Sequence, residues 1–164
     1  MFPPTRAFPA FFALVFIGLG PVTAPGPGAE EAGPLPRAAE LTAMLGWTPG
    51  EAAANFGVPE SMFVHRGGAA EEDNIVFYYP DHRYLFWFRD RVWQVRADDR
   101  WSGEVDGVRM GMTREGVAQL WGAPINDGDE APSWTLPDQG YPVRIRLYFV
   151  DDRLADIYVY RSDW

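Results

Sequence analysis

The sequence predicts an α+β fold made of two tandem repeats, each a short helix followed by an antiparallel sheet. The segment Gly46–Pro59 reappears as Gly111–Pro124, with Gly, Thr, Gly and Pro at the same places in both copies. Further along, Leu85–Val95 aligns without a gap to Leu147–Ile157. With 47% apolar and 15% aromatic residues, the chain has enough apolar side chains for a hydrophobic core.

Composition restricts the possible function classes. The chain has 164 residues, which is enough for one ordinary domain or two small ones. Its formal net charge of -9 argues against nucleic acid as a partner. Every basic residue is Arg, so every cation can make planar, bidentate or stacking contacts. The chain has no Cys, which excludes disulfides, a Cys nucleophile and a lipid anchor on Cys.

The N-terminal segment has the pattern of a secretory signal peptide. Residues 1–24 contain a single charge, Arg6, then a short apolar run, and small residues that suit cleavage near Ala24. The apolar run is about half of the ~20 residues that a spanning helix needs. We therefore expect export to the periplasm or the extracellular space, with no stable membrane span after cleavage. Retention of the segment as an anchor is the alternative, and it would leave the domain on the same side of the membrane.

A flexible linker and the first repeat are predicted to follow. Residues 25–36 are rich in Pro, Gly, Ala and Glu, a composition that does not repay the entropy of ordering. Repeat 1 is assigned to residues 37–104. Its second helix begins at Thr48 with a capping box to Glu51 and ends at Gly57. A preceding helix is expected over 38–45, and strands over 74–79, 84–88 and 92–95.

Repeat 2 is assigned to residues 105–164. Thr113 is the expected N-cap of its helix, and Gly122 is the expected end. Strands are expected over 133–136, 143–149 and 154–160, with Asp151 and Asp152 in the tight turn between the last two. We expect the helices of both repeats on one face of the sheet and the other face open.

Alternation along the strands assigns side chains to these two faces. The residues predicted to face the core are Val143, Ile145, Leu147, Phe149, Ala155, Ile157 and Val159, and in the first repeat Leu85, Trp87, Trp93 and Val95. The opposite face carries aromatic and Arg side chains, which are enriched in interface hot spots. The predicted protein-binding residues are Tyr84, Phe86, Phe88, Arg96, Arg144, Arg146, Tyr148, Tyr158 and Tyr160. For Phe86 and Phe88 the alternative is packing between the repeats or against the N-terminal helix.

The second copy of the motif carries a family resemblance. Val108–Pro124 resembles the opening of the SmpA/OmlA (BamE-like) envelope domains, a capped helix with the pattern Gly-Met-Thr … Gly-x-Pro, followed by a small antiparallel sheet. Two such units in tandem are similar to the architecture of the β-lactamase-inhibitory proteins. The resemblance implies two helix-plus-sheet repeats that form one concave binding surface, in a protein of the cell envelope or outer membrane.

The sequence contains no recognisable catalytic set, so we do not expect an enzyme. The only histidines, His65 and His82, lie in turn-like settings that favour structural roles. Two acidic segments, 71–73 and 126–130, have oxygen ligands that suit Ca²⁺, but connecting loops are the favoured interpretation. We expect no metal and no cofactor.

Two functions remain open. The first is an exported, non-enzymatic module, an assembly factor or inhibitor, that binds a protein partner of the cell envelope through the aromatic and Arg face. The second is a binding protein for a small ligand, such as a sugar or a peptidoglycan fragment, held in a pocket between the repeats. Self-association through the open face is also expected to be feasible.

Overall fold

The computed structural model of the protein describes residues 36–68, 73–126 and 131–164. All of them belong to the unit Ala32–Trp164. The predicted signal peptide lies outside the described residues, as does the predicted linker apart from Pro36.

Short helices alternate with longer runs of strand. The helices are α1 (Ala39–Thr42), α2 (Pro49–Phe56) and α3 (Arg114–Trp121). The strands are β1 (Ser61–His65), β2 (Asn74–Tyr78), β3 (Arg83–Phe88), β4 (Arg91–Ala97), β5 (Ser133–Thr135), β6 (Val143–Val150) and β7 (Arg153–Arg161). Strand β1 was not predicted from the sequence. No helix in the described part of the chain is long and apolar enough to cross a membrane.

Helices α2 and α3 begin and end through the same local interactions. The Thr48 hydroxyl accepts the Glu51 amide, and the Glu51 carboxylate accepts the Thr48 amide, which completes a capping box. Thr113 caps α3 by accepting the Gly116 amide at 3.1 Å. Helix α1 is shorter than predicted, since it covers only four residues of the expected 38–45 segment.

The prediction of two tandem helix-plus-sheet repeats was wrong, because the strands form a single sheet. Its seven strands lie in the order β1-β2-β3-β4-β7-β6-β5, and all neighbours are antiparallel. Strands β4 and β7 pair from Gln94↔Tyr160 to Ala97↔Ile157. This pairing satisfies backbone groups that two separate sheets would leave at exposed edges.

The core lies between one face of this sheet and the helices. One row of partners crosses the whole sheet, from the exposed Met62 through Phe77, Leu85, Val95, Val159 and Ile145 to Trp134. From Leu85 onward these side chains are buried with Leu41, Val117 and Trp121 of the helices. The sheet face on the other side, which we call the open face, carries the predicted binding residues.

Two hairpin turns of the same type join β3 to β4 and β6 to β7. Arg89 and Asp90 have φ of 47° and 58°, and Asp151 and Asp152 have φ of 49° and 58°. Positive φ at both central residues is the signature of a type I′ turn, whose twist matches the strands that it joins.

A register shift follows each turn. Because of these shifts, two residues that were predicted to face the core, Trp93 and Ala155, do not do so. In the first hairpin Phe86 pairs with Gln94, but Trp87 pairs with Val92, so Trp93 has no partner of its own. In the second hairpin the shift falls between Tyr148 and Phe149, and Phe149 pairs with Leu154. A bulge of one residue reverses the alternation beyond it. Val92 and Leu154 are therefore buried in place of Trp93 and Ala155, both of which are half-buried.

Candidate functional site

The open face is organised by two adjacent rows of cross-strand partners. Because partners lie side by side on one face, each row forms a continuous line of side chains. The first row runs Tyr78, Tyr84, Arg96, Tyr158, Arg146 from β2 to β6. The second runs Val76, Phe86, Gln94, Tyr160, Arg144 over the same strands.

Arg96 lies between two tyrosine rings at the centre of the first row. Its guanidinium carbon is 4.7 Å from the centroid of the Tyr84 ring and 5.7 Å from that of Tyr158. Both distances lie within the range of cation–π attraction. On the same side, Arg96 Nε donates to Asp156 Oδ1 at 2.7 Å. The pKa of Asp156 is nevertheless raised, because its burial outweighs the effect of Arg96.

These rows form the floor of one groove of about 880 Å³ that reaches from β1 to β6. Every residue that the sequence analysis predicted for the binding face lines this groove, namely Tyr84, Phe86, Phe88, Arg96, Arg144, Arg146, Tyr148, Tyr158 and Tyr160. The structure therefore brings them together on one surface. Whether they bind a partner stays a prediction.

The groove is cationic although the protein as a whole is acidic. Its lining includes four arginines but no Asp or Glu among the described residues. Arg161 is paired with Asp163 at 2.9 Å, and Arg96 is paired with Asp156 at 2.6 Å. Arg144 and Arg146 form no salt bridge within the described part of the chain. Among the described residues, no carboxylate therefore neutralises these two guanidinium groups, which can take an anionic group.

Arg144 and Arg146 differ in how firmly their side chains are held. Arg146 Nη2 donates to the Tyr160 hydroxyl at 3.2 Å, and its guanidinium carbon is 5.2 Å from the centroid of that ring. Arg144, two residues earlier on the same strand, is exposed and lies beside Tyr160, its cross-strand partner. Tyr148 is 41% exposed and lies edge-on to Tyr158, with ring centroids 5.2 Å apart. Arg144 and Tyr148 are therefore both accessible to a partner, and among the nine predicted binding residues they are the ones whose side chains are exposed.

Phe86 and Phe88 also line the groove, but their side chains are less exposed than those of Arg144 and Tyr148. Phe86 is only 6% exposed, and its ring lies near those of His65 and Tyr158 at 5.8 and 6.5 Å. Phe88 meets Trp164 at 5.2 Å. Phe86 thus lies in the floor of the groove and offers little surface to a partner.

A polar network adjoins the groove at the Tyr84 end. The Tyr84 hydroxyl donates to Asp98 Oδ2 at 2.9 Å, and Arg100 Nη2 donates to the same oxygen at 2.6 Å. Burial would raise the pKa of Asp98, but the hydrogen bonds from Arg100 and Tyr84 lower it to about 2. Burial and then the bond to Asp98 raise the pKa of Tyr84 to about 12. Asp98 is thus an anion and Tyr84 a neutral hydrogen-bond donor at neutral pH.

Sequence reasoning missed several residues of the groove. Phe63 and His65 come from the unpredicted strand β1, while Arg161 and Trp164 follow the predicted end of the last strand. Trp93 was assigned to the core, but the bulge turns it to the open face, where its Nε1 donates to Asn74 Oδ1 at 2.8 Å. The adjacent apolar pair Val92-Trp93 breaks strict alternation, and that break was the available signal.

The two histidines each contact an aromatic side chain. The Tyr78 hydroxyl and His82 Nδ1 are 3.0 Å apart, and His65 lies edge-on to Phe86. The described His, Asp and Glu side chains form no group that could hold a metal ion. The acidic segments fall mainly on residues 71–72 and 127–130, outside the described residues.

Comparison with known proteins assigns no family to the chain. No family model matches, and no curated protein matches. An extracellular protein containing an SCP domain from Bacillus anthracis matches over 74% of this chain and 45% of its own, with 13% identity and a TM-score of 0.48. A cysteine-rich secretory protein from Staphylococcus aureus matches over 74% of this chain and 44% of its own, with 12% identity and a TM-score of 0.45.

These findings correct the resemblance drawn from the sequence. The resemblance to SmpA/OmlA domains and to the inhibitory-protein architecture was wrong, because no family model matches and the strands form one seven-stranded sheet and not two tandem repeats. The short Gly-Met-Thr … Gly-x-Pro pattern encodes a capped helix, which many folds use. The chain spans less than half of either solved protein, and a TM-score below 0.5 transfers neither fold nor function.

Proposed function

We propose that the protein is an exported, non-enzymatic module that binds a protein partner through the groove on its open face. The observation that carries this proposal is the groove itself, a cationic and aromatic surface on a protein of net charge -9. The partner segment that suits it is extended and carries carboxylates beside apolar side chains.

The dimensions of the groove support an elongated partner. Its lining comes from six neighbouring strands, β1 to β4, β7 and β6. Neighbouring strands are about 4.8 Å apart, so five spacings extend over roughly 24 Å. An extended peptide of about seven residues has that length.

The chemistry of the lining supports an acidic segment. Arg144 and Arg146 line the groove without a salt-bridge partner among the described residues, and each guanidinium group can bind a carboxylate through parallel hydrogen bonds. Tyrosine rings beside them supply apolar contact area with a small loss of conformational entropy. Export is supported by the signal-peptide pattern of residues 1–24.

Capture of partners from the exported fraction of the host tests the proposal. We expect the protein to retain a partner that Arg144→Glu releases, with binding at least tenfold weaker, because a carboxylate would then face a carboxylate. Tyr148→Ala should also weaken capture. Arg91→Glu is the matched control, since Arg91 is an exposed β4 residue that does not line the groove.

The result that would refute the proposal is specific. A partner that remains bound to folded Arg144→Glu and Tyr148→Ala variants, but is lost from Arg91→Glu, would place the binding surface elsewhere. Higher salt should also weaken true capture, because the groove residues are accessible to screening ions.

The volume of the groove favours a small ligand as the second candidate. About 880 Å³ lies within the usual range of ligand pockets, and Trp93, Tyr160 and Trp164 could stack on a sugar ring. A thermal-shift screen of acidic sugars and peptidoglycan fragments addresses this alternative. Saturating ligand at ~100 times its dissociation constant would add about 2.7 kcal/mol to the free energy of unfolding. Unchanged melting temperatures across the screen would exclude these ligands.

A further inference from the structure

The outer edge of β1 is unusual for the exposed edge of a sheet. Its five residues, Ser-Met-Phe-Val-His, are all exposed, with Met62 at 64%, Phe63 at 43% and Val64 at 53%. Among the described strands, only β2 pairs with β1. Natural edge strands are usually protected by charged residues, Pro or a covering segment, and β1 contains neither a charged residue nor Pro.

The opposite edge of the sheet shows that protection. Strand β5 is only three residues long, and the chain before it covers its outer side. The Ser133 amide donates to Asn126 Oδ1 at 2.8 Å, and the Ile125 amide donates to the Ser133 carbonyl at 2.8 Å. Within the described part of the chain, one edge of the sheet is therefore covered and the other is available for pairing.

The sequence of β1 is self-complementary when a second β1 lies antiparallel to it. If Phe63 is placed on the two-fold axis, Phe63 faces its own copy, Met62 faces Val64, and Ser61 faces His65. A two-fold contact requires this kind of match, because the same surface must fit itself. In any other register, an apolar residue of β1 would lie opposite a polar or flanking one.

Charge complementarity selects the same register. It places Glu60 opposite Arg66 of the second copy, at both ends of the paired strands. Glu60 forms no salt bridge with a described residue. Arg66 is 78% exposed and uses one nitrogen for Asp73 of its own chain, so other guanidinium donors remain available.

We propose that β1 pairs with β1 of a second copy of this chain, in antiparallel register about Phe63. The pairing joins two seven-stranded sheets into one. Because partners across an antiparallel pair share a face, the open faces of both copies lie on the same side. Phe63 and His65 line the groove of each copy, so the two grooves meet at the axis.

Covalent trapping tests the register directly, because the chain contains no Cys. In the proposed pairing the Phe63 Cα atoms lie about 4.5–5.5 Å apart, which suits a disulfide. We expect Phe63→Cys to form a covalent dimer under mild oxidation at low protein concentration. Thr135→Cys, an exposed position on the β5 edge, is the matched control and should remain monomeric.

Sedimentation of the chain as its host exports it gives the second measurement. On dilution, the unmodified protein should shift from dimer to monomer, and one dimer dissociation constant should describe the data. Glu60→Arg should raise that dissociation constant by about tenfold, because two like-charge pairs replace two attractive ones. Adding Arg66→Glu to Glu60→Arg should recover most of the loss.

Two outcomes would overturn the proposal. One is a monomeric mass at every concentration tested, together with a folded Phe63→Cys variant that does not cross-link. The other is a dimer whose dissociation constant is unchanged by Glu60→Arg and which Thr135→Cys traps as well as Phe63→Cys does. Neither cross-linking nor sedimentation depends on a partner in the groove. A negative result for the dimer would therefore not contradict the proposed function.

Discussion

Arg96 and Tyr158 are direct partners across the β4–β7 pair, and the Arg96 guanidinium carbon lies 5.7 Å from the centroid of the Tyr158 ring. This contact joins the two halves of the chain at the middle of the sheet. It is reinforced by Asp156, which accepts from Arg96 Nε at 2.7 Å. The centre of the groove is therefore held by the pairing that makes the sheet continuous.

Removing Arg96 should destabilise the protein mainly through the carboxylate that it leaves behind. We expect Arg96→Met to lower the free energy of unfolding by about 2 kcal/mol, because Asp156 would be left half-buried without its cation. Arg96→Met combined with Asp156→Asn should cost less than Arg96→Met alone. Urea unfolding at neutral pH measures both variants, and strictly additive losses would contradict the coupling.

The bulge in the second hairpin predicts unequal costs for neighbouring residues. Leu154 is 2% exposed, whereas Ala155 is half-buried. We expect Leu154→Ala to cost about 2–5 kcal/mol, as for other buried leucines, and Ala155→Ser to cost about 0.5 kcal/mol or less. Thermal unfolding of both variants checks this. If Ala155→Ser lost more stability than Leu154→Ala, then Ala155 would face the core and the strand would alternate without a bulge.

Removal of two different tyrosine hydroxyls should affect the stability of the protein differently. The Tyr79 hydroxyl is buried without a hydrogen-bond partner among the described residues. Tyr79→Phe should therefore be neutral or stabilise by up to about 1 kcal/mol. Tyr84→Phe should cost about 2 kcal/mol, because the Tyr84 hydroxyl donates to the charged Asp98. Chemical denaturation of the two variants side by side distinguishes them, and equal losses would argue against this assignment.

Asp98 predicts a loss of stability in acid. Its folded pKa of about 2 is below the ordinary 3.8, so the unfolded chain binds the proton more readily. The stabilisation is complete above pH 4 and is lost as pH falls from about 4 to 2, by about 2 kcal/mol. Between pH 4 and pH 2, the free energy of unfolding of Asp98→Asn should fall less steeply with decreasing pH than that of the unmodified protein, as measured by urea unfolding at each pH. Asp156 contributes with the opposite sign, since its folded pKa is raised.

Much of the candidate groove could be predicted from the sequence, because strand alternation is a local property. Arg144, Arg146 and Tyr148 lie two residues apart on β6 and share a face without any shift. The same rule failed at Trp93 and Ala155, where one extra residue reverses the direction of the side chain. The break in alternation at Val92-Trp93 indicates a bulge, but which residue is the extra one depends on how the partner strand pairs.

The sequence by itself determined the elements whose causes are local. The caps at Thr48 and Thr113, and the turns at Asp90 and Asp151, depend on side chains within a few residues of each backbone position. The tertiary structure alone decided that β4 pairs with β7, so that the two halves share one sheet. The physical reason is that any unpaired strand edge offers donors and acceptors to another, and only the packed chain selects which edges meet.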